Sequence, residues 1–242
     1  MSSKKVLALS SSRAGREDYL ESPVLSIKEI LGIRQLSIAF IPFALVSKKY
    51  DAYANDVSTA LKGLPYKINI ADHHNAIKVI EQSDAIMVGG GNTFKLLHDI
   101  YESKILDLIR NKVENGTPYI GWSAGANITG PTIGTTNDMP VIQPESFKAL
   151  SFFPFQINPH YFNQKPKGFN GETRDQRLLE FVTMNPTLKV IGLPEGTGLL
   201  LNDRTLKLIG KHPAKLFSAK VPGEKPVIGE INPEEDISYM LS

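Results

Sequence analysis

Three short stretches bring together residue types that could hydrolyse an acyl bond. Ser123 stands in "YIGWSAGAN", where Gly121-Trp-Ser-Ala-Gly125 fits G-x-S-x-G. In that elbow, small flanking residues permit a strained strand-to-helix turn that lifts the serine hydroxyl clear of a sheet. The pattern is short, and a plain glycine-rich turn between a strand and a helix would also satisfy it. A serine nucleophile needs a base, and His160 in "FQINPHYFN" follows an apolar segment that Asn158-Pro159 would stop and turn. An imidazole placed there could take the serine proton and return it to a leaving amine. The base in turn needs a carboxylate to hold its tautomer. Asp138 in "TTNDMP" and Glu195 in "IGLPEGTG" both qualify, and sequence leaves the choice between them open. The other histidines compete poorly. His73 and His74 form an adjacent pair, which is not in itself a metal site, His98 falls within a helical pattern, and His212 precedes Pro213.

Two further features could serve such a reaction. Val88-Gly-Gly-Gly-Asn92 closes a strand and opens a helix, so its backbone amides can approach a ligand without interference from a Cβ. The amide of Gly91, paired with that of Ala124 just after the serine, would form an oxyanion hole. A phosphate-binding use of these glycines is disfavoured because neither G-x-x-x-x-G-K-[ST] nor G-x-G-x-x-G is present here. Arg174, in the first turn of a helix opened by Thr173-Arg-Asp-Gln176, could present its guanidinium fork to a substrate carboxylate.

These residues need a frame that gathers them at one edge. Val6 to Ser10, Leu36 to Pro42, Ile68 to Ile70, Ala85 to Val88, Tyr119 to Gly121 and Val190 to Leu193 are short apolar runs ending in turn residues, as buried parallel strands are. Between them, segments such as Asn92 to Val113 carry apolar residues at helical spacing and read as crossover helices. After Glu195, "GTGLLLNDRTLKLIG" reads as two strands joined at Asn202-Asp203-Arg204, and "AKLFSA" with "KPVIGEI" adds further antiparallel edge strands. The expected fold class is α/β: one mostly parallel open sheet with helices on both faces and a C-terminal antiparallel β appendage, forming a single domain over residues 1–242. Ligands of such sheets bind beyond the carboxyl ends of the strands.

Composition narrows the chemistry. Lys and Arg total 27 against 25 Asp and Glu, a net charge of +2 too balanced for the basic field that nucleic-acid binding requires. With no cysteine, disulfides, thiolate catalysis and cysteine-held zinc are excluded. The first residues, "MSSKKVLALSSSRAG", hold too short an apolar run for a secretory signal, and no later run approaches the roughly 20 residues of a membrane span. The expectation is a cytoplasmic protein with neither membrane nor nucleic-acid partner.

Taken together, "VGGGNTF", "YIGWSAGAN", "PTIGTTNDMP", "FQINPHY", "GETRDQR" and "VIGLPEG", in this order and at these spacings, resemble the peptidase E family of serine peptidases, the α-aspartyl dipeptidases. The resemblance runs from about Ile41 to Gly196 and is weaker after Gly198. It implies a fold related to the class I glutamine amidotransferase and flavodoxin-like group, with Ser123 as nucleophile, His160 as base, and Asp138 or Glu195 as the acid. It also implies a small peptide substrate with N-terminal aspartate, and no metal or cofactor. Arg174, assisted by Thr132 or Thr135, becomes the ligand for the aspartate side chain. Two other readings keep the same residues: a hydrolase of aspartyl polymers resembling cyanophycinase, and a non-catalytic small-molecule sensor. Oligomeric state is not legible.

Overall fold

A computed structural model of the chain describes residues 4–168, 170–219 and 225–242; Met1 to Ser3 of the amino-terminal stretch read above lie outside these. Eleven strands and seven α-helices are present among the described residues, in two sheets. Five parallel strands build the larger sheet: β1 (Lys5–Leu9), β2 (Leu36–Ile41), β3 (Tyr66–Ile70), β4 (Ala85–Val88) and β5 (Tyr119–Trp122). Their spatial order is β3-β2-β4-β5-β1, extended past β1 by the antiparallel hairpin of β8 (Thr197–Asn202) and β9 (Thr205–Gly210).

Both faces of the larger sheet are covered at its centre, which is why β1, β4 and β5 read as near-continuous apolar runs, whereas the edge strand β3, YKINI, alternates and is only partly buried. In β1, Val6 and Ala8 enter one core cluster while Leu7 and Leu9 enter another; in β4, Ile86 and Val88 face the first and Ala85 and Met87 the second. Handedness assigns the helices to these faces. From β1 to β2 to β3 the chain moves one way along the sheet, and from β3 to β4 to β5 it moves back, so right-handed crossovers must lie on opposite sides. Accordingly α1 (Pro23–Leu31) and α2 (Tyr50–Ala60) pack on the face of Leu7 and Leu9. Helices α3 (Ala76–Glu81), α4 (Thr93–Glu102) and α5 (Leu106–Glu114) pack on the other. The Asn92 to Val113 segment is thus two helices, divided where Lys104 takes a φ of 55°.

Neighbours β1 and β5 send their following chain to opposite faces, β5 into the short α6 (Ala124–Asn127) and β1 toward α1. A crevice opens beyond the carboxyl ends of such a pair. The strand expected at Val190 to Leu193 forms, but outside the larger sheet. As β7 (Val190–Gly192) it pairs in parallel with β6 (Gln156–Asn158) and antiparallel with β10 (Ala214–Ser218), which carries β11 (Val227–Ile231) at its edge. Ile157, Ile191, Ala214 and Ile231 share a hydrophobic cluster with the larger sheet, so the C-terminal strands contribute to the core. Helix α7 (Arg174–Met184) begins at a complete capping box between Thr173 and Gln176, as its sequence predicts. No helix among the described residues is long and apolar enough to cross a membrane.

Candidate active site

Strand β5 ends in an elbow whose tightness dictates its glycines. Ser123 adopts φ 54° and ψ −113°, a conformation that costs a non-glycine residue roughly 1–3 kcal/mol. A Cβ at Gly121 would stand 2.3 Å from the Gly125 carbonyl oxygen, and one at Gly125 would stand 2.3 Å from that of Val88. Only hydrogen fits at either position. The turn is fastened on both sides: the Ser123 amide donates to Leu9 O at 3.0 Å, and the buried Tyr119 hydroxyl donates to Gly125 O at 2.7 Å. Burial pushes the Tyr119 pKa well above that of a free phenol, so the hydroxyl stays a donor.

His160 and Glu195 meet because β6 and β7 run in parallel. Asn158 is in register with Gly192, so the loops that follow both strands leave from the same end. Pro159 turns the chain, His160 takes φ 51°, and its amide donates to the buried Ser10 Oγ at 2.9 Å. Ser10 Oγ in turn donates to Leu193 O at 2.7 Å, which ties the carboxyl end of β1 to both loops. His160 Nδ1 then lies 2.8 Å from Glu195 Oε1, and Nε2 lies 2.9 Å from Ser123 Oγ. A carboxylate only accepts, so the neutral ring that satisfies both contacts carries its proton on Nδ1 and accepts the Ser123 hydroxyl at Nε2. That arrangement can draw a proton from the serine. The pair stays open to solvent, with side chains 41% and 52% exposed, so its Coulombic attraction is screened and its main use is to orient the ring.

Of the two acid candidates, Glu195 is the one hydrogen-bonded to His160, while the hydrogen bonds of the Asp138 carboxylate among the described residues go to other groups. Its Oδ2 accepts from the Thr93 amide at 2.7 Å, from the Thr93 hydroxyl at 2.6 Å and from the Thr136 hydroxyl at 3.1 Å. This places a carboxylate at the amino end of α4, where the helix dipole favours negative charge. Its Oδ1 has no partner among the described residues, and Asp138 lines a small cleft together with Ser123, Ala124, Asn127, Thr136 and His160. The glycine run borders the same place: a Cβ on Gly90 would lie 2.9 Å from Ser123 Cβ. Neither Gly91 nor Ala124 donates its amide to any group among the described residues.

Arg174 sits half-buried at the first turn of α7, its Nε without a hydrogen-bond partner and its guanidinium without an ion pair among the described residues. Burial, followed by repulsion from Arg177, lowers its pKa below the usual arginine value. Asp175 accepts from the Tyr161 hydroxyl and from Asn163, which fastens this helix end to the chain just beyond His160. Of the two threonines expected to assist, Thr135 donates its hydroxyl proton within the fold, whereas Thr132 only accepts among the described residues and keeps its own. Thr135 is buried and its hydroxyl donates to Ile157 O at 2.9 Å, and Thr132 Oγ1 accepts from Gln156 Nε2 and from the Gly134 amide. Thr136, the next residue along, is the threonine at the cleft. Ser10, Thr93, Asn127 and Thr136 were not legible as site residues. The run "LALSSS" at the end of an expected strand was a usable signal for the first; the others carry no motif.

The chain matches the profile described as Peptidase family S51 over residues 6–209. It is 46% identical over 241 residues to a peptidase E from Nostoc sp., covering 99% of this chain and 97% of the relative. It is 50% identical over 236 residues to a peptidase E from Shewanella putrefaciens, covering 97% and 98%. Among solved structures, a peptidase from an acI-B1 actinobacterium superposes with a TM-score of 0.62 at 15% identity, covering 98% of this chain and 96% of that one, and supports the fold. A nucleophile-elbow serine within hydrogen-bonding distance of an oriented histidine, on a chain this similar over nearly its whole length to known peptidases, has one family reading: the chain belongs to peptidase family S51.

Proposed function

We propose that the protein is a serine-type dipeptidase that hydrolyses Asp-Xaa dipeptides through an acyl-enzyme on Ser123. The observation that carries this reading is the continuous chain of contacts from Ser123 Oγ to His160 Nε2 at 2.9 Å and from His160 Nδ1 to Glu195 at 2.8 Å. In the first half-reaction, His160 takes the Ser123 proton as Oγ bonds to the peptide carbonyl carbon, and the amides of Gly91 and Ala124 receive the oxyanion. Collapse breaks the C–N bond, the imidazolium protonates the amine, and Xaa leaves. Water, deprotonated by His160, then attacks the ester, and the imidazolium returns that proton to Ser123 Oγ as the acyl C–O bond breaks and aspartate leaves. Glu195 stabilises the imidazolium in both halves.

Recognition of the N-terminal aspartate follows from the charges left unpaired. Arg174, a half-buried cation with no anionic partner among the described residues, is assigned to the substrate β-carboxylate. The free Oδ1 of Asp138, in the cleft beside Ser123, is assigned to the substrate α-ammonium. The test is hydrolysis of Asp-Leu, Ala-Leu and Leu-Leu with a chelator present. Fast turnover of Asp-Leu alone is expected; loss of it to the chelator, or equal turnover of all three, would refute the reading. Arg174→Ala should narrow the preference for Asp-Leu over Ala-Leu by about 10- to 100-fold, the factor carried by one charge-assisted contact of roughly 1.5–3 kcal/mol. An unchanged preference removes Arg174 from the assignment.

A further inference from the structure

The peptide that joins Gly90 to Gly91 is held from the far side of the sheet. Tyr53, on α2, donates its hydroxyl to Gly90 O at 3.1 Å, and the indole Nε1 of Trp122 donates to the same phenolic oxygen at 3.0 Å. Gly89 makes room for this, since a Cβ there would stand 2.6 Å from the Tyr53 hydroxyl oxygen. Phe40 packs edge-on against the Tyr53 ring with centroids 5.0 Å apart, which fixes the aim of the hydroxyl. Burial pushes the Tyr53 pKa up, so the hydroxyl remains protonated.

A trans peptide sets its C=O and N–H on opposite sides of the chain. Drawing Gly90 O toward α2 therefore turns the Gly91 N–H toward the opposite face, where α4 and α6 border the cleft containing Ser123 and Ala124. Gly91 has φ 138°, and a Cβ on it would stand 2.4 Å from Ala44 O, so only glycine permits this orientation. The same freedom lets a peptide within three consecutive glycines flip. A flipped peptide would present the Gly90 carbonyl, not the Gly91 amide, to a developing oxyanion.

We infer that Tyr53 is a positioning residue that locks the Gly90–Gly91 peptide with its amide aimed at the oxyanion site, and that Trp122 orients the Tyr53 hydroxyl for this task. The inference rests on the serine-peptidase reading, and the two fail differently: a wild-type protein inactive on Asp-Leu sinks that reading, whereas an active wild type matched by its Tyr53 variant sinks this one alone.

The test compares wild type with Tyr53→Phe, which keeps the ring and deletes the hydroxyl. Three quantities are measured: kcat and KM on Asp-Leu, inhibition by the boronic acid analogue of aspartate, which forms a tetrahedral adduct on Ser123, and inhibition by aspartate itself. The expected result is a kcat lower by about 10- to 100-fold, somewhat less than outright loss of an oxyanion donor, with a matching loss of boronate affinity. KM and aspartate inhibition should stay within about twofold. The inference is overturned if kcat is retained, or if boronate and aspartate weaken equally, since a general disturbance of the site would do the latter. Should Tyr53→Phe fail to fold, Trp122→Phe frees the Tyr53 hydroxyl from the indole. It should weaken the boronate selectively, and equal effects on both inhibitors would again overturn the inference.

Discussion

Ser123→Ala is expected to lower kcat on Asp-Leu by on the order of 10⁵- to 10⁶-fold, with the fold intact and aspartate binding retained. The size of the loss follows from the way the site is assembled. Ser123 Oγ is the one hydrogen-bond partner of His160 Nε2 among the described residues, so without it the imidazole has only bulk water to activate. Alanine also removes the covalent half of the mechanism, leaving the oxyanion donors and substrate positioning as the residual catalysis. The folded state should not suffer, because Ser123 makes no side-chain cap and its structural bonds, from its amide to Leu9 O and to its carbonyl from the Ala126 and Asn127 amides, are independent of the side chain. A thermal melt within a few degrees of wild type, alongside stopped-time chromatography of released leucine, checks both halves of this expectation.

The second large effect separates the two carboxylates. Glu195→Gln should reduce kcat by about 10²- to 10⁴-fold with little change in KM, because an amide at Oε1 neither fixes the Nδ1–H tautomer nor stabilises the imidazolium. The lower end of that range reflects the half-exposed position of Glu195, where solvent supplies part of what a buried acid would. Asp138→Asn should act differently. It removes charge facing the substrate ammonium and weakens the reception of the Thr93 amide, so KM should rise and the melting temperature fall slightly. A small phosphonylating reagent without an ammonium group makes the distinction independent of substrate binding. Glu195→Gln should slow its reaction with Ser123, while Asp138→Asn should leave it near the wild-type rate. The opposite pattern would return the acid role to Asp138.

The elbow was legible because its chemistry forces residue types at fixed spacing: Gly121 and Gly125 stand where any Cβ would strike a carbonyl. The start of α7 was legible for the same kind of reason, since a capping box is a contact between residues three apart. Choosing between Asp138 and Glu195 was not, because the choice depends on which strands pair. Glu195 reaches His160 through the parallel register of Asn158 with Gly192, in a second sheet that apolar periodicity does not distinguish from the first. Thr135 looked available for a ligand until the fold gave its hydroxyl the carbonyl of Ile157. Tyr53 carried no motif at all. It comes from a helix 69 residues before Trp122 and gains its role only when β2, β4 and β5 become neighbours.

The most direct test of a serine peptidase selective for aspartate is active-site labelling with a diphenyl phosphonate analogue of aspartate, followed by peptide mapping in a mass spectrometer. One label per chain is predicted, on the peptide containing Ser123, with activity on Asp-Leu lost in proportion to labelling and the alanine analogue reacting far more slowly. Full activity on Asp-Leu after Ser123 has been completely modified, or loss of activity that tracks a label on another residue, would contradict it.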